Sequence, residues 1–499
     1  MLFMNSTVLK YLIISLIFLP VFFINIKSSH DWGDDFAQYI HQAKNITKGI
    51  AQNQTGYIYN PHFPLLGPPS YPIGFPLLLA PVYSGFGNSI SHFNLYISFF
   101  LFSLGLLMFH FLHKYYSALI STLLIVVFVY NPWTLNFKIE IVSDIPFTLL
   151  LLLCVCRYQT IKPFTYTKSI LLILFIGFLI SIRNIGLVFV FAVVLDGLLE
   201  IYRHRHKIKQ KQYNYKKAAL PMVLAVAGLL IYLLLNKVIF NNAGGGMFPY
   251  AYLLNTDQLP HFIQTNLHDY MAMLRSYFEP LNDEWQFVAL FSGTMIFAFI
   301  ILGMIKKMNK KFDFMDGLTL IYLFAIIVYP YSNAGFRFLL PLIPYLLYYS
   351  VQGLQSINIK LNIKPNVLAI MMTVFILFSY KKGLSEIFKQ SAILLQGPQE
   401  TESIEAFNYI IKNTPANARF NFIKPRALSL YTNRNAMSHK PNQQLGEIEQ
   451  SILHNEIQYI LINNDISDDS LKAYVKIHES EWEQMWNNTN YFLYQQKQK

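Results

Sequence analysis

Charge is scarce in this chain of 499 residues: Asp, Glu, Lys and Arg make up only 13% of it. Soluble domains carry about 25%. With 54% hydrophobic residues, 42 Phe and 33 Tyr, the composition excludes an ordinary soluble globule and describes an integral membrane protein. Cysteine is nearly missing too. Cys154 and Cys156 are the only two, and their spacing within one apolar span turns them to different faces of a helix, which argues against a disulfide or a metal pair and leaves packing as their role. There is no solenoid period, no low-complexity segment and no convincing inverted repeat.

What the chain does have is long apolar runs. Stretches of roughly 16 to 25 residues, each long enough to cross a bilayer as a helix, begin near Leu9, Phe93, Leu119, Ile141, Ser169, Ile185, Ala218, Phe287, Leu318, Phe338 and Val367. The stretch from Ile170 to Leu199 is too long for one crossing and divides at Arg183-Asn184. The count is therefore about eleven spans. Lys and Arg collect in the loops at 203–217, 306–311, 161–168 (Lys162 and Lys168) and 360–364. Cytoplasmic loops retain such residues, and a cytoplasmic N-terminus puts every one of them on that side. The loops at 27–90, 131–140, 183–184, 241–285 and 331–337 then lie outside, with everything after about Ser385. Much of the net charge of +12 thus has a topological origin, and nucleic acid is a poor candidate partner. The first run, preceded by Lys10 and followed by Ser28 and Ser29, lacks an A-x-A-like cleavage site. Removing it would invert the later basic loops, so it reads as a retained anchor.

The chain divides into a membrane portion, 1–380, and a hydrophilic tail, 381–499. Ile404, Phe407, Ile410 and Ile411 repeat at helical spacing, 418–423 and 457–462 read as strands, 468–477 as a helix and 491–494 as a last strand. A small α/β domain is expected there.

Four groups of residues can carry chemistry, all on the expected outer face. The first is His30-Asp31-Trp32-Gly33-Asp34-Asp35-Phe36, running on to Tyr39 and followed by Ile40, Ala43 and Ile46, which continue as a helix lying on the membrane surface. A carboxylate retained beside lipid points to chemistry: one of these acids can deprotonate an attacking hydroxyl. Helix capping by Asp31 or Asp34 and a divalent metal site are the competing readings. The second is Tyr59 to Pro76, with His62, Tyr71 and prolines at 61, 64, 68, 69, 72 and 76. Such a segment must be irregular backbone. It either shapes a pocket or merely connects two spans. The third is Glu140 with Asp144, whose spacing of four puts both acids on one helix face; they face a ligand, or they favour a helix N-terminus electrostatically. The fourth is Arg183 and Arg337, placed where a lipid phosphate would lie or snorkelling to water.

Taken in order, the acidic pair with Tyr39, the segment Tyr71 to Leu79, the segment from Glu140 through Ser143-Asp144-Ile145-Pro146-Phe147, and Gly335-Phe336-Arg337 running on to Pro344 resemble the GT-C superfamily of membrane glycosyltransferases. The likeness is to the bacterial branch related to protein O-mannosyltransferases and lipid A aminoarabinose transferases. Lys424 to Arg434 is similar to a recurrent extracytoplasmic domain of bacterial members. The resemblance implies transfer of a monosaccharide from a polyprenyl-phosphate-linked donor to a hydroxyl of a lipid, glycan or protein, at the outer face of a bacterial cytoplasmic membrane. It implies Asp34 as base, Asp35 assisting, and Arg337 with Arg183 on the carrier phosphate. Tyr39, His62, Tyr71, Glu140 and Asp144 are the expected substrate contacts. No nucleotide-binding loop is needed, and none is present. Many relatives carry Asp-Glu where this chain has Asp-Asp, which leaves the choice between Asp34 and Asp35 open. No cofactor is required, although a divalent metal is compatible. A flippase for lipid-linked sugars and an outer-face sugar-polymer polymerase or ligase are the rival functions. A transport site would be expected near the bilayer midplane, between repeats, whereas these ionisable groups cluster at one face.

Overall fold

Each of the eleven apolar runs carries a helix. In this computed structural model, which describes residues 6–63, 66–161, 165–210, 214–238, 257–277, 286–329, 335–361, 365–390 and 393–497, they are α1 (Ser6–Phe18), α4 (Ile90–Leu112), α5 (Ala118–Val129), α7 (Asp144–Gln159), α8 (Tyr166–Ile182), α9 (Leu187–Arg203), α11 (Lys216–Val238), α13 (Gln286–Lys310), α14 (Phe314–Ile327), α15 (Ile343–Leu361) and α16 (Pro365–Ser379). Pro64, Lys162, Ser332 to Ala334, much of the 241–285 loop, and parts of the basic loops at 203–217 and 360–364 lie outside the described residues. Among the described residues, three segments are long and apolar enough to cross a bilayer by themselves: Ile90–Leu112, Asn184–Arg203 and Ala218–Lys237. A fourth candidate is the pair Val367–Ser379 and Lys381–Lys389, bent by 43°. Thr7–Phe22, Ala118–Val129, Tyr166–Ile182 and Phe314–Ile327 are shorter apolar helices, and the chain is a helical membrane protein.

The expected division at Arg183-Asn184 is present. Arg183 is extended (φ −150°, ψ 133°) at the end of α8, a short 3-10 turn follows at Asn184–Gly186, and α9 restarts from there. Two expectations need correction. Residues 27–90 hold more than the surface helix expected there: α2 (Asp35–Thr47) is followed by an apolar α3 (Gly74–Phe86) that packs on α2 and reaches α8 and α4. Pro76 sits in the first turn of α3, where its missing N–H has no intrahelical partner to lose, so the proline run ends there without forbidding the helix. Glu140 and Asp144 do not share a helix face, because Ile141 adopts φ +49° and α7 begins only at Asp144. A β-branched residue in the left-handed region breaks the turn that the spacing of four would have needed.

Small residues set the closest helix contacts. A Cβ on Gly303 of α13 would lie 1.9 Å from the Tyr349 carbonyl oxygen, and one on Gly353 of α15 would lie 2.0 Å from that of Phe299. With no water to expel, backbone approach of this kind is what holds helices together in lipid. Gly353→Val should therefore force α15 off α13 and cost about 3 kcal/mol, the upper end of overpacking, seen as a lower Tm in detergent.

The tail carries a five-stranded sheet in the order β2-β1-β3-β5-β4, built from β1 (Arg419–Asn421), β2 (Asn435–Met437), β3 (Tyr459–Asn463), β4 (Trp482–Asn487) and β5 (Tyr491–Gln496). β2, β1 and β3 are parallel; β5 and β4 join antiparallel. β3 is buried along its whole length, as expected of a central strand covered on both faces. α18 (Thr401–Asn413), α20 (Leu445–His454) and α21 (Asp469–Ile477) pack around the sheet. The crossover from β1 to β2 is α19 (Pro425–Thr432), which lies on α2. The segment after α2 extends the sheet at its β2 edge: the Ile58 amide donates to the Ala436 carbonyl at 2.8 Å, and the Ala436 amide to that of Gly56 at 2.9 Å. The Asn60 side-chain amide donates to the Ser438 carbonyl at 2.9 Å. These bonds fix α19 above the acidic loop.

Candidate active site

The ends of several elements bring charge to one point. Asp34 is the N-cap of α2 and makes no side-chain capping bond; Asp35 is the first residue of that helix. Asp144 is the first residue of α7 and fully buried, and Arg183 ends α8. A Cβ on Gly74 would lie 2.4 Å from Ser181 Oγ, so glycine at the start of α3 permits the approach that sets the end of α8 against this cluster. Arg337 lies on a 3-10 turn at Phe336–Phe338, just before α15.

Arg337 joins two of the carboxylates. Its Nη1 donates to Asp35 Oδ2 at 2.6 Å and its Nε to Asp144 Oδ2 at 3.2 Å. Asp144 Oδ1 accepts from Arg183 Nη1. Among the described residues Arg337 Nη2 has no hydrogen-bond partner, and the side chain is 31% exposed, so an open donor faces outward from a fixed guanidinium. The Arg183 guanidinium rests on the rings of Phe338 and Phe147, at 5.2 and 5.9 Å. Tyr71 donates its hydroxyl to Asp35 Oδ1 and stacks on Tyr39 with ring centroids 4.5 Å apart; the Tyr39 hydroxyl meets Ser143 Oγ at 3.2 Å.

The two neighbouring aspartates differ sharply. Burial would push Asp35 up, but Arg337 and Arg426, with the Tyr71 hydroxyl, hold it down at about 2. Burial pushes Asp34 up to about 6, against the weaker pull of Arg426 and Lys424. One acid is thus a fixed anion, and the other can exchange a proton near neutrality.

Arg426 was not singled out in the sequence. It is the second residue of α19, fully buried, and donates from Nη1 to Asp35 Oδ1 at 3.2 Å and to the Tyr71 hydroxyl at 3.0 Å, and from Nη2 to the Pro68 carbonyl at 2.9 Å. The rings of Tyr57 and Tyr71 flank it at 4.7 and 5.1 Å. Gly67 (φ +107°) passes so close that a Cβ there would lie 2.6 Å from Arg426 Nη2. The Pro-rich segment, expected as pocket wall or connector, thus lines this arginine.

Glu140 belongs to a second group. His30, Asp31 and Glu140 offer ligand atoms within 4.8 Å of one another. His30 Nε2 meets the Glu140 carbonyl at 3.1 Å, which can only accept, so Nε2 carries the proton and Nδ1 turns to Asp31 Oδ1 at 3.0 Å. Burial raises Glu140 to about 6, with Asp31 adding to it. Burial alone would lower His30, but Asp31 and Glu140 raise it. One imidazole nitrogen and two carboxylates form a donor set suited to a divalent cation such as zinc. A cavity of about 640 Å³ opens beside Asp31, Trp32, Gly33, Leu394 and Lys424. His62 is exposed and is not brought to either group.

Solved structures share this architecture over nearly the whole chain. The crystal structure of ArnT from Cupriavidus metallidurans bound to undecaprenyl phosphate matches with a TM-score of 0.54 at 10% identity, covering 98% of each chain. That of the Archaeoglobus fulgidus oligosaccharyltransferase in the apo form matches with a TM-score of 0.56 at 11% identity, covering 99% of this chain and 74% of that one. Its complex with Zn and sulfate gives 0.55. No family model and no curated protein matches the sequence. The chain shares the fold of these two proteins over nearly its whole length, the fold that its motifs led us to expect.

Proposed function

We propose that this protein transfers a monosaccharide from a polyprenyl-phosphate-linked donor to an acceptor hydroxyl, on a lipid, glycan or protein, at the outer face of a bacterial cytoplasmic membrane. The observation that carries the reading is Arg337 held between Asp35 and Asp144 with one donor edge open, one residue from a carboxylate able to exchange a proton. The topology that goes with it is eleven spans, an N-terminus in the cytoplasm, and residues 381–499 outside as an α/β domain. In this reading the carrier phosphate docks at Arg337, with Arg183 adding positive charge behind Asp144. Asp34 takes the proton of the acceptor hydroxyl as its oxygen bonds to the anomeric carbon from the face opposite the phosphate. The anomeric C–O bond to phosphate breaks, polyprenyl phosphate leaves with the electron pair, and the configuration inverts. Arginine held in place before reaction stabilises the departing charge. Were a cation present, His30, Asp31 and Glu140 would hold it, and it would add positive charge beside the acidic loop.

Purified protein in proteoliposomes, given polyprenyl-phosphate hexose labelled in the sugar, tests this. Release of free polyprenyl phosphate with labelled acceptor supports transfer, whereas movement of intact donor across the bilayer identifies a flippase. Because Asp34 acts deprotonated, kcat/KM should fall below a pH of about 6. Lys424→Gln removes a positive charge that steadies the Asp34 anion, so the acid limb should move to higher pH; an unmoved limb would assign it to Glu140.

A further inference from the structure

Asp34 and Arg426 face each other across an unfinished contact. Asp34 Oδ2 and Arg426 Nε are both buried, both without a hydrogen-bond partner among the described residues, and 3.7 Å apart. That separation is too long for a hydrogen bond between them. The other polar atoms of the two side chains are already engaged: Asp34 Oδ1 takes the Ala427 amide at 3.4 Å, while Arg426 Nη1 and Nη2 are committed to Asp35, Tyr71 and Pro68. Tyr57 and Tyr71 fix the guanidinium plane, so Nε cannot swing to close the gap. The two form a long ion pair, yet one acceptor and one donor remain side by side without a hydrogen bond. Leaving either unmet is costly in a buried site. An oxygen about 2.8 Å from each atom spans the separation, provided that it can donate one hydrogen bond and accept another. A hydroxyl does both, as does the water it would displace; a phosphate oxygen or an ammonium does not.

We propose that the seat between Asp34 Oδ2 and Arg426 Nε binds the acceptor hydroxyl, so that the C-terminal unit completes the acceptor side of the site through Arg426. The proposal rests on the glycosyl-transfer reading above and names a residue that reading does not use. The hydroxyl donates to Asp34 and accepts from Nε, which turns a lone pair toward the anomeric carbon. As the C–O bond forms, the O–H bond breaks and its proton passes to Asp34 Oδ2. Arg426 thereby positions the acceptor, while Arg337 faces the donor.

The test uses the full-length protein in vesicles of phosphatidylethanolamine and phosphatidylglycerol, with labelled polyprenyl-phosphate hexose as donor and glycolipid extract of the native membrane as acceptor. Arg426→Lys keeps a positive charge but lacks the Nε–H. It should raise the acceptor KM at least tenfold, with a several-fold smaller rise in the donor KM through the lost bond to Asp35. The double variant with Asp34→Asn should be no slower than Asp34→Asn alone, because both groups serve one hydroxyl. If Arg426→Lys does not fold, Tyr57→Leu removes the ring beneath the guanidinium without removing its ion pairs and should give the same split in smaller measure. Donor and acceptor KM rising by the same factor, or multiplicative losses in the double variant, would overturn the assignment. A wild-type protein that releases no polyprenyl phosphate at all would instead defeat the transfer reading.

Discussion

Replacing Asp34 with Asn should lower transfer by about 10³-fold, within the range that a positioned general base contributes, while leaving the folded yield close to wild type. The amide has the volume of the carboxylate, and its oxygen can still accept from the Ala427 amide, but it cannot take a proton. Asp35→Asn should behave differently. It strips the shared anion from between Arg337 and Arg426, and breaking one partner of a buried pair costs about 3–5 kcal/mol. Its signature is a loss of folded protein and of Tm, with slower transfer as a consequence. Initial rates on the labelled donor, read beside size-exclusion yield and a melting curve, separate the two. If Asp35→Asn folds normally and is the slower variant, the base is Asp35.

Arg337→Lys should reduce kcat/KM for the donor by about 10²- to 10³-fold, the loss seen when one preorganised donor to a developing anion is removed. A guanidinium can hold Asp35 and Asp144 through two edges and still offer a third to phosphate. An ammonium on a flexible stem offers a single point charge and cannot keep that fork. Binding of polyprenyl phosphate alone, measured with the purified variant, should weaken in parallel. An unchanged affinity would place the phosphate elsewhere.

How much of this was legible in the sequence follows from where each signal is stored. Run length and polarity mark helices directly, and even the division at Arg183 was visible because a charge interrupted an apolar stretch too long for one helix. Ionisable residues at the ends of such runs are so few that most of those read as a site meet: Asp34, Asp35, Asp144, Arg183, Arg337, Tyr39 and Tyr71 gather within a chain of contacts. The shared face of Glu140 and Asp144 failed because it depends on the left-handed Ile141, and a β-branched side chain gives no warning of that conformation. His62 is exposed on the Pro-rich segment, and its residue type carries no sign of that. α3 was hidden by its prolines, which a helix tolerates in the first turn and among neighbouring helices. In the tail, apolar β1, β3 and β5 were readable, whereas three-residue β2 and the largely exposed β4 carry no clear alternation. Arg426 lies 391 residues from Asp35. On a short helix bounded by Lys424 and Arg434 it looks like any solvated cation, and only the crossover between β1 and β2 turns it inward.

Single-turnover reaction of the wild-type protein in outward-facing proteoliposomes, with polyprenyl-phosphate hexose of one defined anomeric configuration, bears most directly on a carboxylate base and an arginine-held phosphate sharing one cleft. Nuclear magnetic resonance of the glycosylated product should show the opposite anomer, formed in step with free polyprenyl phosphate. A product of retained configuration would require a covalent intermediate and would contradict a single displacement assisted by Asp34.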